Sequence, residues 1–324
     1  YNVPIERASS DNAQVIEKSD LIMGRIEKHF NRAISASSIN TYLRCPLDFY
    51  YRYIAELGEE KSIEEDIESQ QFGSLIHNTL EKLFDKHALL DSLGNENIPK
   101  PSALEESDLN QMLVDYKDLL YNEFLNYFDN ESQLFLEGKN LVSYTIAQDT
   151  IENTIKKELE FLKKQSQPFY IVQVEAKKEI SLEILVSGQK KTIYFKGYID
   201  RIDKIGDSYR VIDYKSGRVK EADVKFKLKD DDLLASFANC KHAVQLALYS
   251  LFFKNSFGTY PSEAIIYSLT DVSKMDHKLT YANHKLTDIC QLFEVFVQEV
   301  LNEIFDDSLS IEHNEKAKYC NYCQ

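Results

Sequence analysis

Long hydrophobic runs are missing from this 324-residue chain. No stretch approaches the ~20 apolar residues that a membrane-spanning helix requires, which excludes an integral helical membrane protein. No internal repeat is present, which excludes solenoids and propellers. The five cysteines are too few for a secreted disulfide scaffold of this length, and one is unpaired in any case; a reducing cytosol is the expected compartment. The chain begins Tyr1-Asn2-Val3-Pro4, neither a signal peptide nor an initiator methionine, and is expected to be a soluble piece of a longer polypeptide. Positive charge is also in deficit. With 38 Lys and Arg against 53 Asp and Glu the net charge is −15, which argues against a nucleic-acid partner unless basic groups are concentrated locally. Acid clusters in Glu59-Glu60, Glu64-Glu65-Asp66 and Glu105-Glu106, while Lys215, Arg218, Lys220, Lys225, Lys227 and Lys229 form a basic stretch. That stretch is either a basic groove on an acidic body or a solvated loop.

What is present is a globular composition, 43% hydrophobic, long enough for one large domain or two ordinary ones. Residues 1 to 34 show little periodicity and read as a linker or docking segment. Ser35-Ala36-Ser37-Ser38 offers N-caps for a helix carrying Ile39, Tyr42, Leu43 and, past Cys45-Pro46, Phe49, Tyr50 and Tyr53. Leu75, Ile76, Leu80, Leu83 and Phe84 recur at helical spacing, and further helical patterns lie near 108 to 128 and 144 to 165. After Pro168 the chain turns β-rich over 170 to 174, 179 to 186, 192 to 204 and 209 to 215. Helical spacing returns over 241 to 253 and 286 to 304, with a strand candidate at 264 to 269. This order predicts an α/β fold, a central mixed sheet flanked by helices, with residues 85 to 167 as a large helical insertion.

The densest chemistry lies in Gly197-Tyr198-Ile199-Asp200-Arg201-Ile202-Asp203 and Val211-Ile212-Asp213-Tyr214-Lys215-Ser216-Gly217. Between them Gly206-Asp207 is a hairpin signal. A tight turn there sets residues whose numbers sum to 413 opposite each other, so Asp200 faces Asp213, and Lys215 shares that face. Two carboxylates ~5 Å apart repel by roughly 3 kcal/mol at an effective dielectric of ~20. A divalent cation turns that penalty into a binding site, and hard oxygen donors favour Mg²⁺ or Mn²⁺. A neighbouring lysine can orient or deprotonate a water and offset charge on a phosphate. The alternative is a pair of solvent-facing aspartates on an exposed hairpin. Asp203, on the other face, reads as a surface charge.

Asp213-Tyr214-Lys215-Ser216 matches the DYKS/T form of the PD-(D/E)XK signature, and the strand from Gly197 to Asp203 resembles the GxxDRxD strand that precedes it. On these residues the chain resembles the PD-(D/E)XK nuclease superfamily, of the RecB and AddB C-terminal type. The resemblance implies a restriction-endonuclease-like core and a Mg²⁺- or Mn²⁺-dependent deoxyribonuclease. Asp200 and Asp213 would bind the metal and Lys215 would serve the attacking water. Gly73-Ser74-Leu75-Ile76-His77 matches GxxxH, which implies His77 as a further ligand, with Gly73 admitting a close neighbour. Gln245-Leu246-Ala247-Leu248-Tyr249 matches QxxxY, a DNA-facing support, so Gln245 and Tyr249 are auxiliary candidates, as is Glu175 at the end of the first strand candidate. The implied activity is that of an exonuclease in recombination and double-strand break repair, within residues 35 to 324. No G-x-x-x-x-G-K-[ST] motif is present, so ATP-driven unwinding would come from a partner region or subunit. A second possibility is a non-catalytic DNA-end binding or docking module of a helicase-nuclease complex.

Cys320-Asn321-Tyr322-Cys323 has metal-ligand spacing, compatible with zinc, a redox pair or neither. Together with Cys45-Pro46 it resembles the iron-sulfur staple of AddB-like and CRISPR adaptation nucleases, which implies Cys45, Cys320 and Cys323 as ligands of a [4Fe-4S] cluster. The family's fourth cysteine has no counterpart within these 324 residues. A zinc-stapled interaction domain is the rival use of the same thiols. Cys240 and Cys290 read as core thiols.

Overall fold

The computed structural model describes residues 15–57, 67–186, 188–230, 232–271, 274–317 and 320. Six strands form one sheet whose spatial order follows the chain: β1 (Ala88–Leu90), β2 (Phe169–Val186), β3 (Gln189–Ile205), β4 (Ser208–Lys215), β5 (Glu263–Ser268) and β6 (Asp276–Lys278). The β1/β2 and β4/β5 pairs are parallel, whereas β3/β4 and β5/β6 are antiparallel. The helices are α1 (Asp20–Phe30), α2 (Ala36–Arg44), α3 (Pro46–Phe49), α4 (Ser69–Asp85), α5 (Glu106–Tyr127), α6 (Gln133–Leu136), α7 (Gly138–Leu162), α8 (Leu233–Ala238), α9 (Ala243–Phe257) and α10 (Leu286–Phe305). The mixed, helix-flanked α/β architecture expected from the sequence is the one the chain adopts.

Two compact units can be told apart, one made of residues 61–180 and 196–295, the other of residues 1–60, 181–195 and 296–324. The first carries β1, β4, β5 and β6 and the parts of β2 and β3 that lie before residue 181 and after residue 195. Its β3–β4 turn is the expected two-residue one, with Gly206 at φ 56, a left-handed conformation that a side chain resists. Pairing runs from Ile205 with Ser208 to Arg201 with Ile212, the register expected, and Asp200 and Asp213 lie one step beyond the last pair. Strand alternation then sends Asp200, Ile202, Val211, Asp213 and Lys215 to one face, and Arg201, Asp203, Arg210, Ile212 and Tyr214 to the other.

The second of those faces is roofed by helices. Ile212, Tyr214, Ile265 and Tyr267 form one core with Leu80, Leu83 and Phe84 of α4, Leu109, Met112 and Phe124 of α5, and Ala147, Ile151 and Ile155 of α7. Each buried Leu, Ile, Met or Phe among them contributes about 2 kcal/mol of burial. Against β4 and β5 also lies α9, whose residues from Ala243 to Phe253 are buried save Gln245; a helix apolar all round must be covered on every side. Strand candidates 170 to 174 and 179 to 186 turn out to be one strand, β2. The charged run between them breaks the apolar alternation without ending the strand.

In the other unit α1 occupies a segment whose sequence shows little periodicity, and buries Ile26 and Phe30. Ser35 is the N-cap of α2, its hydroxyl accepting from the Ser38 N–H. Past Pro46 the chain winds through α3 into a π-helical turn over Tyr50–Ile54. Phe30 packs on Phe305 at 5.3 Å between ring centroids. Lys18 donates to the carbonyls of Glu303 and Asp306 at 2.8 and 2.7 Å, a cation at the negative end of α10.

Candidate active site

Four elements of the sheet-bearing unit bring five ionisable groups together. α4 supplies His77. One turn earlier, Gly73 is the reason the helix can sit so near the end of β4: a Cβ there would lie 2.6 Å from Ser216 Oγ. β2 supplies Glu175, held at φ 46, a left-handed conformation that costs a non-glycine residue about 1–3 kcal/mol and is typically kept where side-chain direction matters. Asp200 comes from β3, and Asp213 and Lys215 from β4.

The contacts are direct. His77 Nε2 lies 2.8 Å from Asp200 Oδ2, and Nδ1 lies 3.2 Å from Glu175 Oε1. The other constraint on Asp200 Oδ2 is the Tyr214 backbone N–H, which donates at 2.6 Å. Lys215 Nζ is 2.8 Å from Asp213 Oδ2. Gln245 of α9 donates through Nε2 to Asp213 Oδ1 at 2.6 Å and approaches Tyr249 Oη at 2.9 Å. The structure thus gathers every residue that the sequence singled out here: His77, Glu175, Asp200, Asp213, Lys215, Gln245 and Tyr249. The Tyr214 amide and Ser216 were not foreseen as neighbours, although both sit inside the DYKS motif.

Burial makes the set electrostatically tense. Asp213 is 2% exposed and Asp200 7%. Loss of water, then repulsion from Asp200, pushes the Asp213 carboxyl up to about 7, against the pull of Lys215 and His77. His77 is held up at about 10: burial opposes its charge, but Asp200 and Glu175 outweigh burial. Lys215 is likewise raised, because Asp213 outweighs the loss of water. That shift favours the charged form, which suits it to orienting a water or a phosphate. The His77, Glu175 and Asp200 donor atoms lie within 4.8 Å of one another, and with Asp213 beside them the set of carboxylate oxygens and one imidazole fits a hard divalent cation.

On the reverse face of the same hairpin the expectation for Asp203 fails. It is fully buried, not a surface charge, because α7 brings Glu158 over that face. Arg201 meets Asp203 through Nε at 2.9 Å and through its terminal nitrogen at 3.0 Å, and reaches Glu158 Oε1 at 2.6 Å. Arg210 donates to Asp203 at 2.6 Å, and Arg201 to Tyr214 Oη at 2.9 Å. Two guanidinium groups and two carboxylates balance one another out of water.

In the other unit Cys45 and Cys320 come together as expected, both buried. They meet a third group that the sequence did not single out: His313 Nδ1 is 3.3 Å from Cys45 Sγ, and all three donor atoms lie within 4.8 Å of one another. Cys323 falls outside the described residues. Cys240 and Cys290 are buried, as core thiols should be.

A mixed sheet with two strand-borne aspartates and a lysine converging beside a helical histidine defines a restriction-endonuclease-like α/β protein. The model of the PD-(D/E)XK nuclease superfamily matches residues 33–324, and the chain belongs to that superfamily. It is similar to an ATP-dependent helicase/deoxyribonuclease subunit from Clostridium perfringens, with 27% identity over 200 residues, 58% of this chain and 16% of that protein. The chain thus spans about a sixth of the relative's length. Among solved structures the crystal structure of SSO0001 aligns at 15% identity over 69% of this chain and 85% of that one, with a TM-score of 0.20, too low to support any inference.

Proposed function

We propose that this chain is a Mg²⁺- or Mn²⁺-dependent deoxyribonuclease, an exonuclease of recombination and double-strand break repair. The observation that supports it best is the convergence of Asp200, Asp213, Lys215 and His77, with Glu175, on one spot. His77, Asp200 and Asp213 would hold the cation. Bound there, it would polarise the phosphoryl oxygens and lower the pKa of a water. Lys215 orients that water and offsets charge growing on the phosphate. Gln245 fixes one oxygen of Asp213 and the Tyr214 amide one of Asp200, so neither carboxylate has to reorganise during the reaction. To act as a ligand His77 must give up its proton, so proton and cation compete for the same place.

The similarity to a helicase/deoxyribonuclease subunit supports a helicase partner that supplies the unwinding. Cytoplasmic placement goes with that role, and no helix among the described residues is long and apolar enough to cross a membrane. The Cys45, His313 and Cys320 group takes metal in this proposal. The family resemblance implies a [4Fe-4S] cluster with Cys323 among its ligands, whereas the imidazole and the close donor spacing favour a single tetrahedral Zn²⁺. The optical spectrum and metal content of anaerobically purified protein decide between them.

The test of the nuclease is end-labelled single-stranded and double-stranded DNA incubated with and without Mg²⁺ or Mn²⁺. Cation-dependent loss of the label, abolished by Lys215→Ala, is the expected result. Cation-independent cutting, or full activity in the variant, would remove this site from the chemistry.

A further inference from the structure

In a chain of net charge −15, one cavity is lined by an excess of cations. It lies in the unit that holds α1 and has a volume of about 220 Å³. Arg25, Lys28 and Arg32 stand along one side of α1 and just past its end, spaced so that they share a face. The opposing wall is the segment from Tyr53 to Glu56. Placing Lys28 and Arg32 at a helix C-terminus is ordinary complementarity to the helix dipole, but it accounts for neither Arg25 nor the aromatic wall. Glu56 is the one acid among the described lining residues, and its contact with Arg32 is a long, exposed one at 3.4 Å, with both side chains 64% exposed.

The wall has a second property. The Tyr53 ring packs against Phe49, at 5.4 Å between centroids, and against the His29 ring at 5.8 Å. Arg52 stands 6.0 Å from its centroid. His29 also packs edge-on to Phe30 and Phe49. Burial, reinforced by Arg32, lowers its pKa, and its Nε2 is buried with no hydrogen-bond partner among the described residues. Three cations and an anchored aromatic ring around one opening are the elements of a single-strand binding subsite, where cations follow the backbone and rings take the bases.

We propose that this cavity is a binding subsite for a single DNA strand, with a backbone phosphate between Arg25, Lys28 and Arg32 and a base against Tyr53. The choice of ligand rests on the nuclease function proposed above. The subsite itself makes no use of the carboxylate cluster.

The experiment is fluorescence anisotropy of a labelled oligodeoxythymidylate with the full chain, without divalent cation so that nothing is cut, over a series of salt concentrations. The Arg25→Gln, Lys28→Gln, Arg32→Gln triple variant should bind at least about tenfold more weakly, and its salt slope should fall by up to about 2, at ~0.7 per neutralised phosphate on a single strand. Glu56→Gln should tighten binding about twofold to threefold, a gain that misfolding cannot imitate. Unchanged affinity and slope in the triple variant, or no tightening in Glu56→Gln, overturns the subsite. Cleavage by the Lys215→Ala variant distinguishes the two proposals: if it cuts as wild type does while the triple variant binds weakly, the catalytic assignment falls and the subsite stands. If wild type binds no oligonucleotide, the subsite falls.

Discussion

The two faces of the β3–β4 hairpin carry ionic clusters built from the same kinds of side chain and solve opposite problems. On one face Arg201, Arg210, Asp203 and Glu158 are sealed under α7, and each charge is met by an opposite one. On the other, Asp200, Asp213 and Glu175 outnumber Lys215 and His77, and Asp213 is pushed up to about 7. A cluster cut off from water must balance itself, since an unpaired buried charge costs several kcal/mol. A cluster left with excess negative charge is balanced from outside, by protons or by a cation. Strand alternation thus sorts the hairpin's own charges between a network that neighbouring elements balance and one they leave with excess negative charge.

That contrast can be broken most forcefully on the chemical face. Asp213→Ala or Lys215→Ala should lower DNA cleavage by at least about 10²- to 10³-fold, while urea unfolding of the metal-free Asp213→Ala variant at pH 9, above the range in which the buried carboxyl contributes, should show no loss of stability. On the sealed face the outcome reverses: Arg201→Met strands two acids and should cost about 3–5 kcal/mol in the same unfolding measurement, with cleavage per folded molecule largely kept.

Acidity sharpens the comparison further. Asp213 is raised from an ordinary 3.8 to about 7, so its contribution to the stability of the metal-free fold is full below about 4 and is lost as the pH rises through 7. His77 is raised from 6.5 to about 10, so its contribution is full below about 6.5 and is lost as the pH rises through 10. Both act in the same direction. Melting temperature of the metal-free protein should fall between pH 5 and 9, and added Mn²⁺ should flatten the decline. A smaller effect is expected at Gln245→Ala, which frees Asp213 Oδ1 and should slow cleavage about tenfold, the value of one hydrogen bond to a charged group. Smallest is Lys156→Ala, which breaks a surface pair with Glu152 and should shift stability by under about 0.5 kcal/mol.

The chemical face was more legible in the sequence than the sealed one, for physical reasons. Gly206-Asp207 set the register, and the register alone put Asp200, Asp213 and Lys215 on one side. Alternation gives the face of a side chain but not what covers that face, and so the burial of Asp203 is not legible from the strand: its cover, Glu158, lies 45 positions away on a helix whose docking no local pattern reveals. His313 was invisible for a similar reason, since its neighbour Cys45 is 268 residues distant. The long helices and the central strands follow their hydrophobic periods. The three-residue strands β1 and β6 and the six-residue α8 are too short to show a period at all, and packing creates them.

The most direct test is calorimetric titration of Mn²⁺ into the metal-free chain and into its Asp200→Asn and His77→Ala variants at pH 8. One saturable site in the wild type, lost or weakened at least about a hundredfold in both variants, is the expected result. Equal Mn²⁺ affinity in all three proteins would mean that these side chains do not form a cation site.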